Sequence, residues 1–383
     1  MSKRLLTELR RLADLPFEQG ETMPPQLYLA PEIHDLELER VFHRDWLCVA
    51  RGDQVAEPGD YLRFDLPGRP MVLTRDEDGE LHALSRVCRH RFMDILPPET
   101  TPGQGRLERL TCPYHTWTYR LNGEFAGRLA GAPLMRSPVF DREACRLPTY
   151  RLMEWNGFVL LNLDPDAEPL DAELADLTAT LRGYGLAAWE TVDTMRWEGV
   201  PANWKVAVEN GCENYHHMGT HATTLEPVLP ARKTRVDDCD GRWFTMYTPA
   251  EGSVSSMPPA EGLSAEQRGG MTIAGIFPNF VMALTPDSVI WASWWPTGPH
   301  THDTVFRLLV PPGTRSRPDF PAYLEETRKT VRHLQEEDLV AIRGVQRGLA
   351  ADPAPPAGRF SYLERPLWQL QRYLAARLTP REA

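Results

Sequence analysis

Two short pairs of residues constrain this chain more than anything else in it. They are Cys88-Arg-His90 and, 21 residues later, Cys112-Pro-Tyr-His115. Each pair places one thiol and one imidazole on a single loop, which is metal-ligand spacing. Zinc fingers usually pair cysteine with cysteine and histidine with histidine. One of each per loop suits a [2Fe–2S] cluster, with two thiolates on one iron and two imidazoles on the other. Neutral imidazoles in place of two thiolates remove negative charge and raise the potential, so such a cluster accepts electrons from a ferredoxin-like donor. A Cys2His2 zinc site is the alternative that spacing alone leaves open.

The surrounding sequence supplies a scaffold for such loops. From Trp46 to about Asp164, short apolar runs alternate with Gly, Pro and Asp: Trp46-Leu-Cys-Val-Ala, Tyr61-Leu-Arg-Phe, Met71-Val-Leu-Thr, Leu81-His-Ala-Leu and Gly157-Phe-Val-Leu-Leu-Asn-Leu. Strands of four to six residues bounded by turn signals predict a small all-β domain. Before it, residues 1–45 read as helical and partly extended, interrupted by Pro24-Pro25 and Pro31. After it, a helical stretch over 170–186 precedes strands at 242–248, 271–276, 280–284, 289–295 and 304–310. A long amphipathic helix covers about 319–350, apolar at Leu324, Val331, Leu334, Leu339, Ile342 and Val345. The second half is therefore α+β, a sheet with helices segregated against it. A chain of 383 residues has room for two or three domains. The expected division is an N-terminal segment 1–45, a β domain 46–165 and a larger domain 166–383.

Charge excludes some partners. With 42 Lys+Arg against 53 Asp+Glu the formal charge is −11. A nucleic-acid or anionic-membrane binder needs a basic face instead. No apolar run reaches the length of a membrane span. Met1-Ser-Lys-Arg has no apolar stretch behind it, so no signal peptide is expected. Six scattered cysteines give no disulfide framework, and the expected compartment is a reducing cytoplasm. Gly103-Gln-Gly105 has no third glycine at Glu108, so there is no dinucleotide fingerprint. If the protein does redox chemistry, its electrons come from another chain.

A second constellation lies in Glu209-Asn-Gly-Cys-Glu213-Asn-Tyr-His216-His217-Met-Gly-Thr-His221. Two imidazoles and one carboxylate on one face of an iron leave positions open for O2 and substrate. Helix geometry alone would select His217 and His221, an i,i+4 pair. A helix that breaks near Gly219 would let His216 and His221 meet instead. Further along, Glu336-Glu-Asp338-Leu-Val-Ala-Ile-Arg-Gly-Val-Gln346-Arg-Gly-Leu349 carries three consecutive acids on the amphipathic helix.

At these residues the chain resembles the Rieske non-haem iron oxygenases, over about residues 28–349. Arg91 after His90 and the Cys-Pro-Tyr-His-x-Trp run through Trp117 are similar to that family's cluster loops. The gap between the loops is longer than usual, filled by Pro97-Pro-Glu-Thr-Thr-Pro-Gly-Gln-Gly105, a solvent-facing insertion. The resemblance implies a Rieske [2Fe–2S] domain followed by a helix-grip catalytic domain, an antiparallel sheet plus helices. It implies that Cys88, His90, Cys112 and His115 hold the cluster and that His216, His221 and Asp338 hold a mononuclear Fe(II). Glu213 then bridges a cluster histidine of a neighbouring subunit to an iron-ligating histidine of its own, within a homotrimer. Most of the family has aspartate there. The Glu-Asn-x-x-Glu-x-Tyr-His form looks most like the branch acting on glycine betaine and related quaternary amines. The implied activity is that of a terminal oxygenase, taking O2 and electrons from a separate NAD(P)H-dependent reductase or ferredoxin to hydroxylate or demethylate a small molecule. A ring-hydroxylating or dealkylating enzyme for aromatic compounds is the other reading. Trp291-Ala-Ser-Trp294-Trp295 could offer aromatic faces to an ammonium group, with Trp291 and Trp295 on one side by alternation, or could be plain sheet core.

Overall fold

The computed structural model describes residues 2–126, 135–239, 241–351, 353 and 356–379. The chain forms two compact units, Phe42–Pro169 and Met1–Val41 with Leu170–Ala383.

In the unit Phe42–Pro169 the alternating apolar runs form strands: β1 Leu47–Arg51, β2 Asp60–Leu66, β3 Arg69–Arg75, β4 Leu81–Ser85, β5 Gln104–Arg106, β6 Leu110–Thr111, β7 Thr118–Tyr119, β8 Thr149–Trp155 and β9 Phe158–Asn162. Among the described residues, seven build one antiparallel sheet in the order β1-β9-β8-β4-β3-β2-β5, while β6 and β7 pair separately. Sequence periodicity does not bring out β8, whose residues are mostly half-buried or exposed. A local signal does mark it: Asn156 and Gly157 both have positive φ, at 49° and 77°, between the paired Trp155 and Phe158. That is the two-residue Asn-Gly hairpin. The insertion between the cluster loops is more than solvent-facing coil, because its end forms β5, an exposed edge strand on β2.

In the other unit, strands β10 Glu190–Val200, β11 Arg235–Val236, β12 Trp243–Pro249, β13 Gly270–Ile276, β14 Phe280–Leu284, β15 Val289–Gly298 and β16 Thr301–Val310 form an antiparallel sheet in the order β10-β16-β15-β14-β13-β12-β11. β10 lies outside the sequence expectations because it is an edge strand with few buried residues, which blurs alternation. Helices are α1 Ser2–Asp14, α2 Gln26–Leu29, α3 Pro31–Glu37, α4 Ala175–Leu181, α5 Trp204–Gly211, α6 Ala265–Arg268, α7 Phe320–Leu349 and α8 Arg365–Leu378. Of the helix expected over 170–186, only α4 and a following 3-10 turn form.

The N-terminal segment has no core of its own. Leu5, Leu9 and Leu12 are buried, α1 packs on α8, and Arg40 Nη1 donates to the carbonyl of Leu378 at 2.7 Å. It also reaches α5, where Lys205 Nζ lies 2.6 Å from Glu37 Oε1 with both side chains 1% exposed. Trp204 Nε1 donates to the other oxygen of Glu37 at 2.8 Å. The Tyr28 hydroxyl donates to Glu209 Oε1 at 2.7 Å.

One face of the β10–β16 sheet is covered by α7 and by the segment after α5. Directly opposed residues in antiparallel strands share a face, so Met246, Ile273, Ala283, Ile290 and Leu308 form an aliphatic row across five strands. Thr248, two residues along β12 from Met246, accepts a hydrogen bond from Asn214 Nδ2 at 2.8 Å. The row therefore looks toward the segment after α5. Asp193, opposite Leu308, receives two hydrogen bonds from Arg328 of α7 at 2.7 and 2.9 Å. So α7 crosses the same face.

Candidate metal centres

The two loops of the smaller unit are built alike despite their different Cys–His spacing. In the first, the N–H of Phe92 donates to the carbonyl of Cys88 and the N–H of Cys88 to the carbonyl of Met93. In the second, Thr116 donates to Cys112 and Cys112 to Trp117 in the same pattern. Phe92 and Thr116, each four residues after its cysteine, both take positive φ, 60° and 56°. Two equivalent turns thus present one thiol and one imidazole apiece. Cys88 and Cys112 are buried, and the rings of His90 and His115 stand edge to face with centroids 4.6 Å apart. His90 stacks on Trp117 at 4.8 Å, and Cys88 Sγ lies 3.3 Å from the Tyr119 hydroxyl, which also accepts the Arg89 N–H.

Burial pushes the His90 imidazole down, which favours the neutral, metal-binding form. It pushes the Cys112 thiol up, so a thiolate there needs a cationic partner. A single tetrahedral zinc draws its four donors to within about 4 Å of one another. Among the described residues only His216, His221 and Asp338 bring three such donor atoms within 4.8 Å. The wider Cys/His quartet fits a two-iron cluster better than one zinc ion.

The second centre starts from α5. Asn203 caps the helix, its Oδ1 accepting the Lys205 N–H at 3.0 Å, and its Nδ2 donates to the carbonyls of Tyr28 and Pro299. The helix ends at Gly211, where a Cβ would stand 2.6 Å from the Trp294 ring. The ligand segment then turns through a 3-10 stretch, Tyr215–Met218, closed by Gly219. The helix thus breaks before His221, and His216 and His221 come together with ring centroids 5.1 Å apart. Asp338 arrives from α7, with Oδ1 at 3.5 Å from His216 Nε2 and 3.0 Å from His221 Nε2.

Both outer nitrogens are tied to carboxylates. His216 Nδ1 lies 2.7 Å from Glu213 Oε1, while the His216 N–H donates to Glu213 Oε2 at 3.0 Å. His221 Nδ1 lies 2.8 Å from Glu337 Oε2, which also accepts the Thr224 hydroxyl. A carboxylate only accepts, so each Nδ1 carries its hydrogen, which in the neutral ring leaves Nε2, the nitrogen turned toward Asp338, as the one able to bind a metal. These three donor atoms lie within 4.8 Å of one another and could hold a metal ion between them. With two imidazoles and one carboxylate, the donor set is that of a non-haem iron facial triad. Burial alone would lower the His221 imidazole; Asp338 and Glu337 outweigh it and hold it above its ordinary value.

His217, the residue helix periodicity favours, takes no part in this group. It is buried, its Nδ1 lies 3.2 Å from the Leu229 carbonyl, and burial followed by the neighbouring His216 pushes it down to about 4. Glu337 is the functional neighbour that sequence reasoning passed over. The resemblance picks out Asp338 by its register on the helix and gives no role to the acid just before it. Trp291 and Trp294 are core, and Trp295 is half-buried. Trp291 is fully buried with the Arg307 guanidinium 4.2 Å from its ring, so that face already holds a cation. By alternation it points away from Trp294, the residue packed on Gly211 and α5.

Comparison with known proteins places the chain in a family. The Rieske [2Fe-2S] domain family matches residues 45–150, and the ring hydroxylating alpha subunit (catalytic domain) family matches residues 181–380. The carnitine monooxygenase oxygenase subunit of Escherichia coli K12 is 31% identical over 277 residues, spanning 70% of this chain and 69% of its own. The chloroplastic choline monooxygenase of Arabidopsis thaliana is 27% identical over 378 residues, 92% of this chain and 82% of its own. The solved structure of a quaternary ammonium Rieske monooxygenase has the same fold, with a TM-score of 0.82 at 23% identity, covering 95% and 99% of the two chains. Fold and family matches together define an oxygenase of the Rieske type. The chain belongs to the Rieske oxygenases, as an oxygenase (alpha) subunit of the ring-hydroxylating type. Membership implies a Rieske cluster and a mononuclear iron.

Proposed function

We propose that this oxygenase acts on a small quaternary ammonium compound of the betaine, carnitine or choline type, fed with electrons by a separate NAD(P)H-dependent reductase or ferredoxin. In this reading Cys88, His90, Cys112 and His115 hold the cluster, and His216, His221 and Asp338 hold Fe(II). The observation that carries the iron site is the pair of tied imidazoles, each fixed through Nδ1 by its own carboxylate and aimed through Nε2 at Asp338. When bound, the cluster supplies single electrons and the iron activates O2 for insertion into a C–H bond.

The chain's own residues do the rest. Glu213 and Glu337 fix ring orientation and tautomer and raise the basicity of both histidines, as outer partners of metal ligands do. Glu213 is buried against His216, and the resemblance gives it the bridge to a neighbouring subunit's cluster histidine in a homotrimer. A cytoplasmic setting fits six free cysteines and, among the described residues, no helix long and apolar enough to cross a membrane. The substrate class rests on the relatives named for carnitine and choline.

Oxygen uptake and formaldehyde release would be measured with reductase and a panel of trimethylammonium compounds. Coupled turnover of one of them is the expected result. A cis-diol or phenol from an aromatic panel, with no ammonium turnover, would overturn the substrate reading. Metal analysis of anaerobically purified protein should give about three irons and two sulfides per chain; zinc without sulfide would overturn the cofactor assignment.

A further inference from the structure

The buried stripe of α7 contains one polar residue that the iron site does not explain. Val331, Gln335, Leu339 and Ile342 are the buried members of the helix past its first turn. Their spacings of four, four and three put them on one face. Asp338 is three residues after Gln335 and so lies beside it, one turn along. Gln335 is 2% exposed, and its amide Nε2 is buried with no hydrogen-bond partner among the described residues. Buried amides are nearly always paired, so an orphan beside a catalytic ligand calls for an explanation.

The sheet face that α7 crosses has two incompletely buried residues near its centre. Ala283 and Ile290 face each other across β14 and β15, in the middle of the sheet and on the face that carries Asn214 and α7. Both are only half-buried, while Val281, Leu284, Val289 and Ala292 around them are buried. Their row also contains Leu308, opposite the Asp193 that anchors α7 through Arg328. Two helical turns beyond Arg328 comes Gln335, and one turn further Asp338. An aliphatic floor, an unpaired amide and the proposed iron ligands thus share one side of the sheet.

We propose that Gln335 is a substrate-binding residue whose amide N–H donates to an oxygen, carboxylate or hydroxyl, on the tail of the substrate, while its alkyl part lies over Ala283 and Ile290. This rests on the quaternary ammonium reading of the substrate. A quaternary nitrogen has no N–H and offers nothing to the amide; the tail oxygen does. Ala283 and Ile290 carry no ring, so this part of the floor meets the chain of the substrate rather than its cation.

The test is anaerobic calorimetry on iron-loaded protein with carnitine, γ-butyrobetaine, glycine betaine and choline. Each is set against the alkyltrimethylammonium ion of the same length without the oxygen. Wild type should prefer the oxygenated member of its best pair. Gln335→Leu should weaken that member about 10- to 100-fold, the range for a lost hydrogen bond to a charged or polar group, and leave the oxygen-free ion unchanged. Loss with carboxylates but not choline identifies the acceptor as a carboxylate, and the reverse a hydroxyl. Equal weakening of both members, or of neither, overturns the role of Gln335 while leaving the substrate class standing. If no ammonium compound binds wild type, the substrate class falls and this inference with it. Because leucine removes an unpaired amide, ligand-free Gln335→Leu should melt no lower than wild type. A markedly lower Tm would mean that the amide is paired within the fold and would also overturn the proposal.

Discussion

Glu337 Oε2 lies 2.8 Å from His221 Nδ1, and the next residue, Asp338, sets Oδ1 3.0 Å from Nε2 of the same ring. Consecutive residues of α7 thus address both nitrogens of one imidazole, Asp338 as proposed ligand and Glu337 as the group that fixes the ring. Removing such an outer partner typically costs 10- to 100-fold in metal affinity. Glu337→Ala should therefore weaken Fe(II) binding by about that factor while leaving every proposed ligand in place. Glu337→Gln, which can still accept the Nδ1 hydrogen through its carbonyl, should fall between. Chelator competition on the reconstituted protein measures it, and wild-type retention of iron by the alanine variant would count against the role.

Glu213 does for His216 what Glu337 does for His221, but with a different consequence. Both of its oxygens are engaged by His216, one at the ring and one at the backbone. Glutamine at this position keeps the volume and one acceptor but loses the charge. Glu213→Gln should leave iron and sulfide contents near wild type and stop turnover. Retained turnover with full metal content would remove Glu213 from the proposed electron route.

The contrast between these two acids shows what a linear reading can reach. Cys88 with His90 and Cys112 with His115 are proposed ligand pairs within three residues of each other, so spacing alone nominates them, whereas His216 with His221 competes with His217 and needs the resemblance to decide. Glu337 meets His221 across 116 positions, a distance no local pattern encodes. Periodicity misled at His217, because it assumes a helix that Gly219 and the 3-10 turn end. In the sheet, β13 to β16 were legible as apolar runs, whereas β8 and β10 have few buried residues and needed a turn signal or a partner strand. The attachment of residues 1–41 to the larger unit depends on pairs such as Tyr28 with Glu209, which only the fold creates.

Gly211 ends α5 immediately before the ligand segment, and a Cβ there would lie 2.6 Å from Trp294 Cη2 and 3.0 Å from Cζ2. Trp294 is 3% exposed, so its ring has little room to move aside. Alanine would gain up to about 1 kcal/mol of helix propensity. Overpacking a buried ring costs about 1–3 kcal/mol. The clash should win, so Gly211→Ala should lower Tm by a few degrees and reduce iron loading, since Glu213 and His216 follow from that turn. An unchanged Tm would mean the ring yields at little cost.

Glu209 is the residue whose charge should be visible in the stability of the whole chain. Burial pushes its carboxyl up to about 7, even though the Tyr28 hydroxyl and the Lys205 ammonium both favour the charged form. In the unfolded chain the same group titrates near 4.5. Between these values the folded state holds a proton that the unfolded state has released. Stability from this group is therefore fully present below about pH 4.5 and declines as pH rises. It levels off once Glu209 is ionised in both states, above about pH 7, after a loss of about 3 kcal/mol. Glutamine cannot ionise and can still accept the Tyr28 hydroxyl hydrogen through its carbonyl. The Tm difference between Glu209→Gln and wild type should therefore grow in favour of the variant from pH 5 to pH 7 and stay constant above it. A difference that does not change with pH would mean that Glu209 is already ionised in the folded protein, held so by Lys205 and Tyr28.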